Sequence, residues 1–150
     1  MKKRILKIVV IVLAAVLLLE GIIIAVSSVF ASRDKEWGLK LSTSNVSAKG
    51  LTLTMERNNS ERKEALTVGD DCWIQRKTLF GWKDVKAKSG GIVFTAIGYP
   101  MNEGDSKSWN VKWENYFGRL WPGVYRINKS ATTDGQTSET TLYATFFVLF

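Results

Sequence analysis

The chain has 150 residues, with 21 Lys and Arg against 14 Asp and Glu, and its net charge is +7 at neutral pH. Four of the basic residues lie within the first seven, so the chain beyond Ala31 carries only about +4, milder than is typical of a nucleic-acid-binding domain. Histidine is absent and Cys72 is the only cysteine, which removes the commonest general base and excludes both an intrachain disulfide and a thiolate zinc site. We therefore expect no catalytic residues, no metal and no cofactor.

The N-terminal segment is typical of a membrane anchor. Residues 1–7 are basic, and residues 8–30 are apolar except for Glu20. As a helix those residues would span roughly 34 Å, enough for a hydrocarbon core of about 30 Å. The apolar side chains outweigh the cost of one acidic residue on insertion scales, and the basic start places the N-terminus inside the cell. The sequence predicts a single transmembrane helix with the following domain outside the cytoplasm.

Two alternatives about this segment remain open. A basic start, an apolar run and small residues before cleavage at Ala31 also fit a signal peptide, which would release the domain. An uncleaved anchor is favoured because the apolar run continues beyond Glu20. Glu20 itself either pairs with a neighbouring membrane helix or is simply tolerated within a single span.

After a predicted linker at 31–36, the remaining residues, 37–150, are predicted to form one β domain. Period-2 alternation of apolar and polar residues indicates strands at 37–43, 50–57 and 65–68. Two further strands, 72–77 and 82–86, form a hairpin. Residues 92–99 are apolar on both faces and predict a central strand ended by Pro100, and 141–150 predict the last strand after a polar connection.

The stretch around residues 109–129 decides the fold class. Trp109, Val111 and Trp113 alternate with polar residues, and Leu120 is followed by Pro122 and Gly123, a pair that suits a type II turn. A second strand leaves this corner with Tyr125 expected to be buried. Strand, corner and tyrosine-bearing strand predict an antiparallel, immunoglobulin-like β-sandwich in which Trp109, Trp113, Leu120, Pro122, Gly123 and Tyr125 determine the fold. We expect Lys129, near the end of this strand, to be exposed.

Asp70, Asp71 and Cys72 are the residues most suggestive of chemistry, and each has a simpler explanation. Asp70 and Asp71 follow a glycine, but the alternating oxygen ligands of a calcium loop are missing, so a solvated turn is favoured. Cys72 lacks a cationic neighbour in the sequence that would activate it, so a buried thiol is favoured.

Aromatic side chains form the best candidate for a binding surface. If Cys72 and Ile74 occupy the inner face of their strand, Trp73 points outward. Trp73 would then form an exposed patch with Trp82 and with Phe80 at the hairpin tip. Such a patch could bind a protein or stack on a glycan.

Several segments resemble a small bacterial Ig-like domain of cell-envelope proteins from Gram-positive Firmicutes. The resemblance runs from Trp37 to Phe150 and is most specific in Tyr116-Phe-Gly-x-Leu-x-Pro-Gly-x-Tyr-Arg-Ile-x-Lys129. It is also carried by Gly50–Thr54, Trp73–Arg76, Trp82–Val85, Thr95–Pro100 and Trp109-x-Val-x-Trp113. The resemblance implies an Ig-like fold, an extracytoplasmic location and no catalytic residues.

These observations predict a membrane-anchored, extracytoplasmic Ig-like module that binds a protein or glycan of the cell envelope or serves as a scaffold there. The alternative is a secreted module of the same fold, released by cleavage near Ala31 and binding glycans through its exposed aromatic residues. We expect neither nucleic acid nor a small-molecule substrate as partner.

Overall fold

Two antiparallel sheets pack face to face in the computed structural model, which describes residues 9–12, 14–15, 31–88, 92–133 and 139–149. The four-stranded sheet has the order β1-β2-β3-β8, and the six-stranded sheet has β9 at its centre. One edge of β9 pairs with β10 along its whole length, and the other pairs with β5 and then with β4. The strands are β1 Arg33–Asp34, β2 Leu39–Ser44, β3 Gly50–Arg57, β4 Leu66–Val68, β5 Trp73–Thr78, β6 Gly81–Asp84, β7 Tyr99–Met101, β8 Ser106–Lys112, β9 Gly123–Thr133 and β10 Glu139–Val148.

This arrangement confirms the expected all-β sandwich of two antiparallel sheets. The alternation predicted for 50–57 matches β3, whose side chains at Leu51, Leu53 and Met55 are buried between the sheets. The predicted hairpin is also present, with β5 and β6 joined by a two-residue loop. Burying one face of each sheet removes apolar side chains from water and stabilises the domain.

Stacked aromatic rings join the two halves of the core. Trp113 stacks on Phe146 with ring centroids 5.6 Å apart, and Phe146 stacks on Tyr125 at 5.8 Å. The sequence predicts that Trp109 and Trp113 both help to determine the fold. Trp113 is 1% exposed, whereas Trp109 is half-buried and packs against the core from β8.

The predicted central strand at 92–99 is wrong. Residues 92–98 belong to no strand, and the side chains of Val93 and Ile97 are 80% and 51% exposed. Only β7 follows, and it pairs with β4 alone, so Pro100 lies within an edge strand instead of ending a central one. An edge strand tolerates proline because one of its sides needs no hydrogen bonds. Apolar residues on both faces therefore did not indicate a buried strand here.

The connection between β8 and β9 also differs from the prediction. A single helical turn, α1 (Glu114–Phe117), follows β8. Gly123 has φ 158°, far from the φ of about +80° at the third position of a type II turn, and it begins β9 opposite Val148. The predicted type II turn is therefore wrong, although Leu120 is buried and the chain does pass from one sheet to the other here.

The expectation that Lys129 is exposed is wrong as well. Lys129 is 1% exposed, and its Nζ donates hydrogen bonds to the carbonyl oxygens of Gly69 at 2.6 Å and Asp71 at 3.0 Å. Its position in β9 has the same parity as Tyr125 and Ile127, so it faces the core. Backbone carbonyls from the neighbouring loop satisfy the ammonium group there.

The predicted linker at 31–36 contains strand β1, which is hydrogen-bonded to β2. Ala31 bridges Ala144 of β10, and Ser32 N donates to Tyr143 O at 3.1 Å. These first residues of the domain are therefore part of the sandwich.

The predicted anchor at 8–30, with Glu20, lies mostly outside the described residues. Residues 9–12 and 14–15 are helical, and within the described ranges no helix has the length and apolar character needed to cross a membrane.

Candidate binding surface on the six-stranded sheet

Strand register determines which side chains share the outer face of the six-stranded sheet. Along β5, Ile74 is 2% exposed and faces the core, so Trp73 and Gln75 face outward. Gln75 pairs with Arg126 of β9, and Lys77 pairs with Trp82 of β6. Side chains directly opposite each other on antiparallel strands lie on the same face and are close enough to interact.

Arg126 is the centre of this face. Its guanidinium carbon lies 4.7 Å from the ring centroid of Trp82 and 5.2 Å from that of Tyr143 in β10. Its Nε donates to Gln75 Oε1 at 2.6 Å, and Asn128 Nδ2 lies 3.4 Å from the same oxygen. Four strands, β5, β6, β9 and β10, supply these side chains. We call the set the Arg126 surface: Arg126, Trp82, Tyr143, Gln75 and Asn128.

The chemistry of this surface is that of a cation held between aromatic rings. Contacts with Trp82 and Tyr143 hold the guanidinium through cation–π attraction, and Gln75 fixes its orientation. Within the described part of the chain, its two terminal nitrogens have no hydrogen-bond partner. They present donors in the fork geometry that matches a carboxylate or phosphate group. Tyr143 is 44% exposed and adds an accessible ring beside them.

The three aromatic residues predicted from the sequence are divided between two places. Trp73 is 37% exposed and lies on the outer face, four residues along β5 from the position opposite Trp82. That separation is roughly 13 Å along the strand, and Arg126 lies opposite its midpoint. Trp82 is half-buried, with Arg126 on one side and Lys77 Nζ 5.3 Å from its ring. Phe80 is at the hairpin tip, two residues before Trp82, and is 89% exposed.

Arg126 and Tyr143 were not among the site residues predicted from the sequence. The signal for Arg126 was present, because it directly follows Tyr125, which was expected to be buried, and adjacent residues of a strand face opposite sides. The signal for Tyr143 was weaker, because β10 is apolar on both faces over much of its length. Their proximity to Trp82 depends on a strand order that the sequence did not reveal.

The hairpin tip is a second exposed feature. Leu79 and Phe80 are 99% and 89% exposed, and the Thr78 hydroxyl donates to Gly81 O at 2.9 Å and accepts from Phe80 N at 3.2 Å. These bonds hold the two-residue loop in place. Trp121, which is 76% exposed, lies at the same end of the sandwich as this tip.

Asp70 is engaged by side-chain donors from two segments. Its carboxylate accepts hydrogen bonds from Trp109 Nε1 at 3.1 Å, from the Thr95 hydroxyl and from Tyr99 Oη at 3.5 Å. The bond from Thr95 is the largest cause of its lowered pKa. The described residues contain no cluster of three or more His, Cys, Asp and Glu able to hold a metal ion. Asp70 therefore links its own loop to Thr95 and to strands β7 and β8 through hydrogen bonds.

Cys72, two residues after Asp70, is buried and is 8% exposed. Burial raises the pKa of its thiol to about 11, since the thiolate would be stripped of water. A thiol with that pKa is a poor nucleophile near neutral pH.

A family model described as a bacterial Ig-like domain matches residues 34–146, which is three quarters of the chain. No curated protein matches the chain.

Proposed function

The chain thus belongs to the bacterial Ig-like domain family, and we propose that it is a non-catalytic binding module held at the cell envelope by its N-terminal segment. Membership supports an extracellular binding or scaffold role. A non-catalytic role is supported by the lack of histidine and by the burial of the only thiol. An origin in Gram-positive Firmicutes is part of the same proposal and rests on the sequence resemblance.

The observation that carries a binding role is the Arg126 surface. A flat sheet face with an exposed aromatic ring and a guanidinium with free donors is typical of protein interfaces, in which Arg, Tyr and Trp are enriched. Because Gln75, Trp82 and Tyr143 already hold Arg126 in place, a partner would meet an ordered side chain and lose little conformational entropy on binding. The partner we propose is an envelope protein or glycan with an acidic group.

Anchoring is supported by the composition of residues 8–30 and by the basic residues before them. We propose that this segment remains attached as a transmembrane helix and that the domain lies outside the cytoplasm. The second candidate, a secreted glycan-binding module cleaved near Ala31, is favoured by the exposure of Trp73 and Phe80. Intact-mass analysis of the native protein separates the two, because cleavage would leave a chain that begins near Ser32.

Cross-linking of the full chain in intact envelopes tests the binding role. We expect the native protein to be recovered with a specific cross-linked partner, protein or polysaccharide, and Arg126→Glu to lose it because the surface charge is reversed. Lys86→Glu is the matched control, since Lys86 is exposed and lies outside the Arg126 surface. Equal recovery from native protein and Arg126→Glu would overturn this assignment of the surface, and no specific partner from any variant would overturn the binding role.

A further inference from the structure

One end of the sandwich combines exposed apolar side chains with basic ones. Leu79 and Phe80 project from the hairpin, and Trp121 is exposed just before β9. A surface cleft of about 300 Å³ beside them is lined by Trp121 together with three basic side chains and Asp84. We call this set the basic tip: Leu79, Phe80, Trp121, Arg76, Lys83 and Arg119.

Apolar and basic side chains lie at different distances from the end of the basic tip. The apolar side chains of Leu79 and Phe80 lie at the extreme of the hairpin, whereas Arg76 and Lys83 lie a few residues back along β5 and β6. Lys83 Nζ is 5.9 Å from the Phe80 ring centroid, close enough for its stem to accompany the ring. The apolar side chains are therefore outermost, and the long basic side chains lie behind them. This arrangement suits the interface of a bilayer, where aromatic rings enter the headgroup layer and ammonium groups remain near the phosphates.

The path of the chain places the proposed anchor at this end of the domain. Ala31 is opposite Ala144, and the Thr140 hydroxyl donates to Asp34 Oδ2 at 2.6 Å, so the chain from 31 to 34 runs away from Val148. The chain therefore enters the domain from the Val148 end. Val148 is opposite Gly123, which begins β9 just after Trp121. The basic tip and the entry point of the chain are at the same end of the sandwich.

The tether at this end is short. Residues 31–34 are bonded into the sheets, so the chain that could separate the domain from an anchor ending at residue 30 is almost absent. Leu149, which is 54% exposed, follows Val148 and adds an apolar side chain to the same end. With so short a tether, an anchor that ends at residue 30 would hold this end of the domain next to the lipid headgroups.

We propose that the basic tip docks on a membrane surface that contains anionic lipids and thereby holds the Ig-like domain in one orientation on its anchor. Basic residues near such a surface are attracted by its negative potential, and inserted aromatic side chains add apolar contact. The inference rests on the proposed anchor and goes beyond it, because an anchor alone would leave the orientation free.

Reconstitution of the full chain into vesicles tests this proposal. Leu79→Cys in a Cys72→Ala background carries an environment-sensitive fluorophore, and the bilayer carries a headgroup-level spin-label quencher. Ser106→Cys is the matched control, because Ser106 is exposed at the start of β8, towards the opposite end of the sandwich. In phosphatidylcholine vesicles with about one quarter phosphatidylglycerol, we expect blue-shifted emission and at least twofold stronger quenching at position 79 than at 106.

Reversing the charge of two basic residues in the tip distinguishes binding to a lipid surface from binding to another partner. Lys83→Glu combined with Arg119→Glu should abolish the excess quenching at position 79, as should vesicles of phosphatidylcholine alone. Emission that changes with protein density instead of lipid charge would indicate a second copy of the chain and overturn the proposal. Equal quenching at 79 and 106 would also overturn it.

Flotation of the same vesicles after an alkaline wash reports on the anchor by itself. Protein that floats but shows no excess quenching at position 79 disproves tip docking and leaves the anchor intact. Protein that fails to float disproves the anchor, whatever the fluorescence shows.

Discussion

The hydroxyl of Tyr125 donates a 2.7 Å hydrogen bond to the carbonyl oxygen of Trp121, four residues earlier in the chain. This contact closes the corner at which the chain enters β9, and Leu120 is buried beside it at 7% exposure. The arrangement is the tyrosine corner of Ig-like sandwiches, in which a buried ring carries a hydroxyl that satisfies an upstream backbone group. It confirms that this corner was correctly located in the sequence, although the turn type was not.

Tyr125→Phe should therefore lower the free energy of unfolding by about 1 kcal/mol, because one hydrogen bond and the desolvation of one carbonyl are at stake. Tyr125→Ala should cost about 3–5 kcal/mol, because it also removes a ring stacked on Phe146. Denaturant unfolding measures both. Tyr143→Phe is the matched control, since that hydroxyl has no hydrogen bond among the described residues, and it should change little. Equal losses for the two Tyr→Phe variants would contradict the corner.

Lys129→Ala should destabilise the domain by about 2–4 kcal/mol. The change leaves a cavity and removes the donor that satisfies the carbonyls of Gly69 and Asp71. Lys129→Met keeps most of the stem and should cost less than the alanine variant. Lys86→Ala, on the exposed surface, should stay within about half a kcal/mol. A Lys129→Ala variant as stable as Lys86→Ala would show that the ammonium group is not held in the loop.

Cys72 should make the domain less stable in alkali. Its folded pKa of about 11 exceeds the ordinary value of 9.0, so the folded state keeps a proton that the unfolded state loses. Stability is thus fully present below pH 9 and is lost as the pH rises towards 11, by about 2–3 kcal/mol. Unfolding measured across this range should show a steeper loss for the native protein than for Cys72→Ala. Parallel curves would indicate an accessible thiol.

Trp121→Phe and Trp113→Phe should differ both in the free energy of unfolding and in the fluorescence that acrylamide quenches. Trp121 is 76% exposed, so its replacement should leave the free energy of unfolding within about half a kcal/mol and remove a large part of the fluorescence that acrylamide quenches. Trp113 is 1% exposed and donates from Nε1 to Ala48 O at 3.0 Å. Its replacement should cost about 1–3 kcal/mol and leave that quenching nearly unchanged. The opposite order would invert the assignment of the two indoles.

The sequence by itself determined the fold class, because its evidence is local. Alternation in β3 and β9 needs only the period of a strand and one buried face, and the hairpin of β5 and β6 needs only a short turn between two such runs. Leu120 and Tyr125 carry a corner whose parts lie within six residues. Where the evidence was apolar content without alternation, as at residues 92–98, the prediction failed because such a run does not say whether a partner strand exists on either side.

Buried charges required the tertiary structure. Lys129 and Arg57 both occupy inward positions of their strands. A charged side chain predicts a surface position, whereas the alternation of each strand predicts a position in the core. Segments distant in the chain supply the acceptors: Gly69 and Asp71, in a loop, offer carbonyls to Lys129, and Met101 O, in β7, accepts from Arg57 Nη1 at 2.6 Å. A charged side chain enters a core only where such acceptors converge, and no local pattern encodes that convergence.

The two surfaces were likewise decided by the tertiary structure. Arg126, Trp82 and Tyr143 come from β9, β6 and β10, and they meet because β9 lies between β10 and β5, with β6 beyond β5, in a particular register. A shift of one residue would send Arg126 to the core face, since the side-chain period of a strand is two. Composition could identify the aromatic residues, but only strand order and register determine which of them share a face.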